Sequence, residues 1–135
     1  MERIWTTMRV IPKALTLVLM FVLAEAYVHA GDMTVHIKEP FKVGDKEYPA
    51  GRYKVLADAE PDHINLLNLD RKTDDEIKFV SRLSPKEGSW GEVIFDRAGQ
   101  DLYLAEIYIV GMDGFYFQGA PGKHKHVVFR EDVLK

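Results

Sequence analysis

The chain has 135 residues, of which 47% are hydrophobic and 29% are charged, with no cysteine and a formal net charge of −3. A chain of this size is expected to fold as one domain, and its hydrophobic core must stabilise it because disulfides are excluded. The charges are mixed along the chain and no basic stripe appears, which argues against partners such as nucleic acid or an anionic membrane surface.

Residues 1–30 have the features of an export signal. Basic residues precede an apolar run from Ala14 to Ala24, and small residues follow it. This order of a charged start, a short apolar centre and a small-residue exit is typical of a secretory signal peptide. We expect cleavage after Ala30, with cleavage after Ala26 as the alternative, and Met8 is an alternative start of translation.

The apolar run is too short for a membrane anchor, since a spanning helix needs about 20 apolar residues. The absence of cysteine also excludes a lipid anchor on an N-terminal cysteine. We therefore predict a signal peptide over residues 1–30 and one domain over residues 31–135. The protein is predicted to be secreted or periplasmic, without stable membrane insertion after cleavage.

The remaining residues alternate between polar and apolar over short segments that are separated by Gly, Pro and Asp, a pattern typical of strands and turns. Residues 102–110 are apolar on both faces, which indicates a central strand, whereas residues 70–75 have the composition of a solvated loop. Strands are predicted at 34–38, 52–58, 63–69, 76–83, 90–96, 102–110, 115–117 and 125–129. Residues 41–43 are predicted to form a short extended piece. About eight short strands without a helix predict an all-β fold, a single small antiparallel β-sandwich or partly closed β-barrel.

Three segments resemble a group of small uncharacterised exported proteins of acidobacterial and related genomes. The matching frame is F-x-V-G from Phe41, then P-A-G-x-Y-x-V from Pro49, and later F-x-x-x-G-x-x-Y-x-L-A-E from Phe95 to Glu106. The resemblance spans roughly residues 41–114, and its motifs are turns and core faces. It implies an exported all-β domain and adds no catalytic residue.

His124 and His126 form the most distinctive polar pair, in the segment GKHKHVVF. Residues two apart in a strand point to the same side, so the two imidazoles would share one face while Val127 and Phe129 face the core. Two imidazoles can hold Zn²⁺ or Cu²⁺, but a tight site needs a third or fourth ligand. The candidates considered for that ligand are His36, His63, Glu131 and Asp132, and the alternative is two solvated histidines.

Three other features suggest chemistry less directly. The acidic run Asp74–Glu76 lacks the spacing of a calcium loop, which favours a solvated turn. Glu106 shares by alternation a face with Leu102 and Leu104. It is therefore a buried acid, or it lies on a partly wet face, or it pairs with an arginine such as Arg82 or Arg97. Aromatic residues in the second half form either a ligand pocket or, more commonly, the core; they are Trp90, Tyr103, Tyr108, Phe115, Tyr116 and Phe117.

Sequence signatures of enzymes are absent, including a cysteine nucleophile, G-x-S-x-G, H-E-x-x-H and a phosphate-binding glycine loop. The sequence therefore favours an exported non-catalytic β-domain that binds a protein or small ligand and needs no cofactor. The alternative is an exported protein that binds zinc or copper through His124 and His126, and a third, weaker hypothesis is an enzyme built around a buried Glu106.

Overall fold

The computed structural model of the protein describes residues 31–57 and 62–132. The predicted signal peptide, with its cleavage sites and alternative start, lies outside the described residues, as does the last residue of the strand predicted at 52–58. Within the two described ranges every regular element is a strand, and none is a helix long and apolar enough to cross a membrane.

The described ranges contain eleven strands, more than the eight or so predicted. In chain order they are β1 (Gly31–Ile37), β2 (Phe41–Val43), β3 (Lys46–Tyr48), β4 (Gly51–Ala57), β5 (His63–Asn68), β6 (Thr73–Lys78), β7 (Ser81–Leu83), β8 (Glu92–Ala98), β9 (Asp101–Tyr108), β10 (Gly114–Tyr116) and β11 (Lys125–Arg130).

The strands form two sheets that meet along one side. The first sheet has the order β1-β4-β5-β6 and the second the order β11-β8-β9-β10-β7, with β2 pairing with β3 and, in parallel, with β9. The edges β1 and β11 approach each other where Val35 bridges to Glu131 and the amide N–H of Asp132 donates to the carbonyl of Thr34 at 2.7 Å. This junction curls the strands into a partly closed barrel, which confirms the predicted all-β class.

The prediction of one continuous strand at 76–83 is wrong, because the chain crosses from one sheet to the other within this segment. The N–H of Phe79 donates to the carbonyl of Asp62 and so extends the β5–β6 pair, whereas the N–H of Val80 donates to Tyr116 next to β10. Corners of this kind let one chain segment serve both sheets. Ile77 and Leu83 keep their period-two spacing through the corner, so the sequence pattern carries no trace of it.

Two smaller differences concern the edges of the sheets. Residues 73–75 belong to the edge strand β6 and not to a loop, and an edge strand tolerates such charged residues because one side of it faces water. The short strand β3 was not predicted; it forms a hairpin with β2 through a turn at Gly44, whose φ is 60°.

The core lies between the two sheets and is centred on aromatic rings. The ring of Phe41 is stacked on Tyr48 at 5.3 Å, meets Tyr53 edge-on at 5.3 Å and lies 5.2 Å from Phe95. Phe95 also meets Phe129 of β11 at 5.7 Å. Since aromatic side chains bury large apolar areas, this cluster joins β2, β4, β8 and β11 and explains how the chain can fold without disulfides.

Candidate metal centre

The pairing of β11 with β8 places His126 directly opposite Asp96. His124 precedes β11 by one residue, and its ring lies 5.3 Å from that of His126. Val127 and Phe129 pack against the core from the other face of β11. The predicted facing of this strand is therefore confirmed, and the two imidazoles lie over one carboxylate.

The Oδ1 atom of Asp96 is the meeting point of the cluster. It lies 3.0 Å from Nδ1 of His126 and 3.6 Å from Nε2 of His124. One ligand atom from each of the three residues lies within 4.8 Å of the others, and within the described ranges this is the one such group of histidine and acidic residues.

Asp96 is buried, with a side-chain exposure of 7%. A polar residue on the outer face of β8 is covered because the segment after β10 folds over it. The N–H groups of Phe117 and Gly119 bond to carbonyls of β9, and the N–H of Ala120 donates to Oδ2 of Asp96 at 3.1 Å. One carboxylate oxygen is thus held by the backbone, while the other faces the imidazoles.

His124 is oriented by a backbone contact. Its Nδ1 lies 2.8 Å from the carbonyl oxygen of Gly122, which is an acceptor, so Nδ1 carries the proton. In a neutral imidazole the other nitrogen then presents a lone pair, and that nitrogen, Nε2, is the one facing Asp96. A lone pair and a carboxylate oxygen repel each other unless a proton or a metal ion lies between them. Such a carbonyl contact is also the usual way in which a metal-binding histidine is oriented.

The charge of Asp96 has no other strong counterpart nearby. No lysine or arginine of the described residues lies within 4.0 Å of its carboxylate, and the basic side chains within that distance are the imidazoles of His124 and His126. A buried carboxylate is costly unless a positive charge accompanies it. The cluster can therefore supply one anionic oxygen and two imidazole nitrogens to a cation.

The four residues considered as further ligands lie elsewhere. His36, Glu131 and Asp132 line a separate depression at the junction of β1 and β11, where Glu131 accepts a hydrogen bond from the N–H of Gly91 at 2.6 Å. His63 lies on β5 beside Asp62. The third member of the cluster, Asp96, was missed by sequence reasoning because two strands separate β8 from β11, so only their pairing register reveals the contact.

The side chains of the acidic run Asp74–Glu76 lie on both faces of β6, and each of the three contacts a different residue. Asp74 accepts a hydrogen bond from Asn65 at 3.0 Å, Asp75 pairs with Lys46 at 3.3 Å, and Glu76 lies 3.8 Å from His63. The predicted turn is thus replaced by a strand, whose alternation points neighbouring carboxylates apart.

Glu106 does not share the apolar face of Leu102 and Leu104, because a β-bulge at Ala105 changes the alternation of β9. Phe95 is opposite Leu104 but Ile94 is opposite Glu106, so Ala105 is the extra residue. Glu106 is half-buried, and its Oε1 accepts a hydrogen bond from the hydroxyl of Tyr108 at 2.8 Å. The pKa of Tyr108 is raised to about 12, and burial is the larger cause and the hydrogen bond to Glu106 the next.

The proposed pairing of Glu106 with Arg82 or Arg97 is wrong. Arg97 bonds to Glu39 at 2.6 Å. The guanidinium of Arg82 lies over the rings of Phe79 and Phe115 at 5.3 and 5.6 Å. The alternative of a partly solvated face agrees with the half-buried Glu106, which accepts its hydrogen bond from the Tyr108 hydroxyl.

The aromatic residues of the second half are divided between core and surface, and two of them, Trp90 and Tyr108, line a common depression. Phe115 and Phe117 are buried in the core. Trp90 is 42% exposed with the guanidinium of Arg130 at 4.8 Å from its ring centre, and Tyr103 lies under Lys42.

Comparison of the chain with protein-family models, with curated proteins and with solved structures gives no match.

Proposed function

We propose that this protein is an exported β-domain that binds a divalent transition-metal ion, Zn²⁺ or Cu²⁺, through Asp96, His124 and His126. The observation that carries the proposal is the convergence within 4.8 Å of three ligand atoms, one from β8, one from β11 and one from the residue just before β11. From the sequence alone this function was the alternative hypothesis, because only two of the ligands could be identified there.

The spacing of the ligand atoms supports this function. In a tetrahedral site with bonds of 2.0–2.1 Å, neighbouring ligand atoms lie about 3.3 Å apart. The two distances to Oδ1 of Asp96, 3.0 Å from His126 and 3.6 Å from His124, lie on either side of that value. The third distance, between the two imidazole nitrogens, lies within 4.8 Å, so the imidazoles close on the ion by moving towards each other. Binding displaces the proton that Nδ1 of His126 donates to Asp96.

The ligand types support a borderline metal over calcium or magnesium. Imidazole nitrogens suit zinc and copper, and one carboxylate oxygen accompanies them in many such sites. Three protein ligands leave at least one coordination position for a solvent or ligand atom. The backbone bonds to Oδ2 of Asp96 and to Nδ1 of His124 hold both side chains in place before the metal arrives.

Export and the lack of catalysis remain part of the proposal on sequence grounds. The leader over residues 1–30 supports export, and the absence of enzyme motifs favours a binding role. The resemblance to small exported β-domains is consistent with that location.

Isothermal titration calorimetry with Zn²⁺ and Cu²⁺ tests the proposal. The exported protein is expected to bind one ion, and the His124→Ala/His126→Ala variant is expected to lose at least about tenfold in affinity, since each removes a direct ligand. His36→Ala, which removes an exposed histidine outside the cluster, is the control and should bind like the wild type. Equal affinity in the wild type and the double variant would rule the site out.

A further inference from the structure

A shallow depression next to His124 collects positive charge. Its lining consists of Arg97, Gly99, Lys123, His124 and Lys125, and it contains no acidic side chain. Three other depressions in the described ranges each include at least one acidic residue. In a chain whose net charge is −3, this concentration of cations is a local exception.

The pairing register forces two of these cations together. Lys125 of β11 lies directly opposite Arg97 of β8, so their side chains share one face. Like charges at directly opposed positions destabilise a strand pair. Arg97 is neutralised by Glu39 at 2.6 Å, but no acidic group of the described ranges pairs with Lys123 or Lys125.

Open space surrounds two glycines, one that lines the depression and one next to it. Gly99 forms the β8–β9 turn with a φ of 65°, and a Cβ atom added there would meet no atom within 4 Å. A second glycine, Gly122, just before Lys123, is equally unobstructed. Ammonium groups on flexible stems around open space can close on an anion and donate several hydrogen bonds to it.

We propose that this depression binds a small oxyanion of the phosphate type, held by Lys123 and Lys125 with Arg97 beside them. His124 belongs to both sites, because its Nε2 faces Asp96 while its ring lines the depression. A metal ion at Nε2 adds two positive charges at the rim and strengthens anion binding. This coupling rests on the proposed metal function, whereas the anion site itself does not.

The experiment is a titration of ¹⁵N-labelled exported protein with inorganic phosphate, followed by the amide signals of Gly99 and residues 123–125. It is run on metal-free protein and on protein with one equivalent of Zn²⁺. We expect saturable shifts of those signals in both forms, with tighter binding in the Zn²⁺ form because affinities of coupled sites rise reciprocally. Vesicles containing phosphatidylglycerol form a parallel arm: binding assigns the phosphate group to a lipid headgroup, and no binding assigns it to a soluble ligand.

The variant Lys123→Gln/Lys125→Gln is expected to weaken phosphate binding about tenfold while it still binds Zn²⁺. The control Arg71→Gln/Lys78→Gln removes the same charge from exposed positions in the β5–β6 turn and on β6, and should bind phosphate like the wild type. Absence of localised shifts, or an equal loss in both double variants, would overturn the proposal. If Zn²⁺ does not bind, phosphate binding by the metal-free protein still decides the anion site, so the two failures are distinguishable.

Discussion

Gly119 lies against the buried carboxylate of Asp96 so closely that a Cβ atom at position 119 would overlap Oδ2. Its φ of 68° lies in the left-handed region, where glycine is favoured. The close approach allows the segment after β10 to cover Asp96 and to donate the N–H of Ala120 to it. One glycine therefore controls both the burial and the orientation of the carboxylate at the candidate metal centre.

Replacing Gly119 with alanine is expected to damage stability and metal binding together. The left-handed backbone costs an alanine about 1–2 kcal/mol, and the overlap with Asp96 adds to it, for a total of about 2–4 kcal/mol in the free energy of unfolding. Urea unfolding and Zn²⁺ calorimetry measure the two effects.

The matched control is Gly44→Ala, which has a similar φ of 60° but no atom within 4 Å of the added carbon and lies in the β2–β3 turn, away from the ligands. It should show the backbone cost alone and still bind Zn²⁺. If both glycine variants lose the same stability and affinity, the contact between Gly119 and Asp96 is unimportant.

Asp96→Asn is expected to abolish stabilisation by Zn²⁺. Asparagine has nearly the same shape, but it lacks the charge that the cation requires. For the wild type, Zn²⁺ at a hundred times its Kd stabilises the fold by about 2.7 kcal/mol, which raises the Tm by several degrees. Thermal unfolding with and without Zn²⁺ should show this rise in the wild type and in Asp101→Asn, an exposed acid paired with Lys42, but not in Asp96→Asn.

Tyr108 is expected to ionise only near pH 12, and Glu106→Gln is expected to lower its pKa. Burial is the larger cause of the raised pKa and persists in the variant, whereas the carboxylate that favours the protonated hydroxyl is removed. Ultraviolet absorbance titration, with Tyr108→Phe to assign the transition, measures the change. An unchanged Tyr108 transition in Glu106→Gln would contradict the role of this bond.

The same shift predicts a direction for stability at high pH. Because the folded pKa lies above the unfolded value of about 10, the contribution of Tyr108 is fully present below pH 10 and is lost as the pH rises towards 12. The free energy of unfolding of the wild type should therefore fall more steeply over this interval than that of Tyr108→Phe.

Asn68→Ala is expected to destabilise the β5–β6 hairpin and the core beneath it. The buried Asn68 accepts hydrogen bonds from the N–H groups of Asp70 and Arg71, each at 3.0 Å, and donates to the hydroxyl of Tyr53 at 3.2 Å. The variant removes the acceptor of two turn N–H groups and leaves the Tyr53 hydroxyl with one partner, the carbonyl of Pro49, at a cost of about 1–3 kcal/mol in the free energy of unfolding.

The control for this prediction is Asn65→Ala, on the same strand. Asn65 bonds to Asp74 at the surface, where water replaces the lost contact, so the change should stay within about 0.5 kcal/mol. Denaturant unfolding of both variants measures the difference, and similar losses would show that the buried network contributes little.

Several faces of the fold could be predicted because they depend on local alternation. Val35 and Ile37 in β1, and Tyr53 and Val55 in β4, are buried as their period-two spacing indicates. The facing of β11 follows from the same rule. Each of these predictions needs only the apolar side chains of one strand and the tendency of such side chains to leave water.

The corner at Phe79 and Val80 and the bulge at Ala105 could not be predicted in the same way. Both depend on which strand is the hydrogen-bonding neighbour, and the side-chain pattern continues through the corner without a break. The bulge reverses the facing of Glu106 and so removed it from the apolar face on which alternation had placed it.

The sequence by itself determined the all-β class and the histidine pair on one side of a strand, because these are properties of composition and short-range spacing; the leader stays a prediction. Only the tertiary structure decided that the pair meets Asp96, which lies 28 and 30 positions earlier in the chain. The physical reason is that the register between strands distant in sequence is set by packing of the whole core. The burial of the carboxylate depends in addition on Gly119, which lets the segment after β10 lie against it.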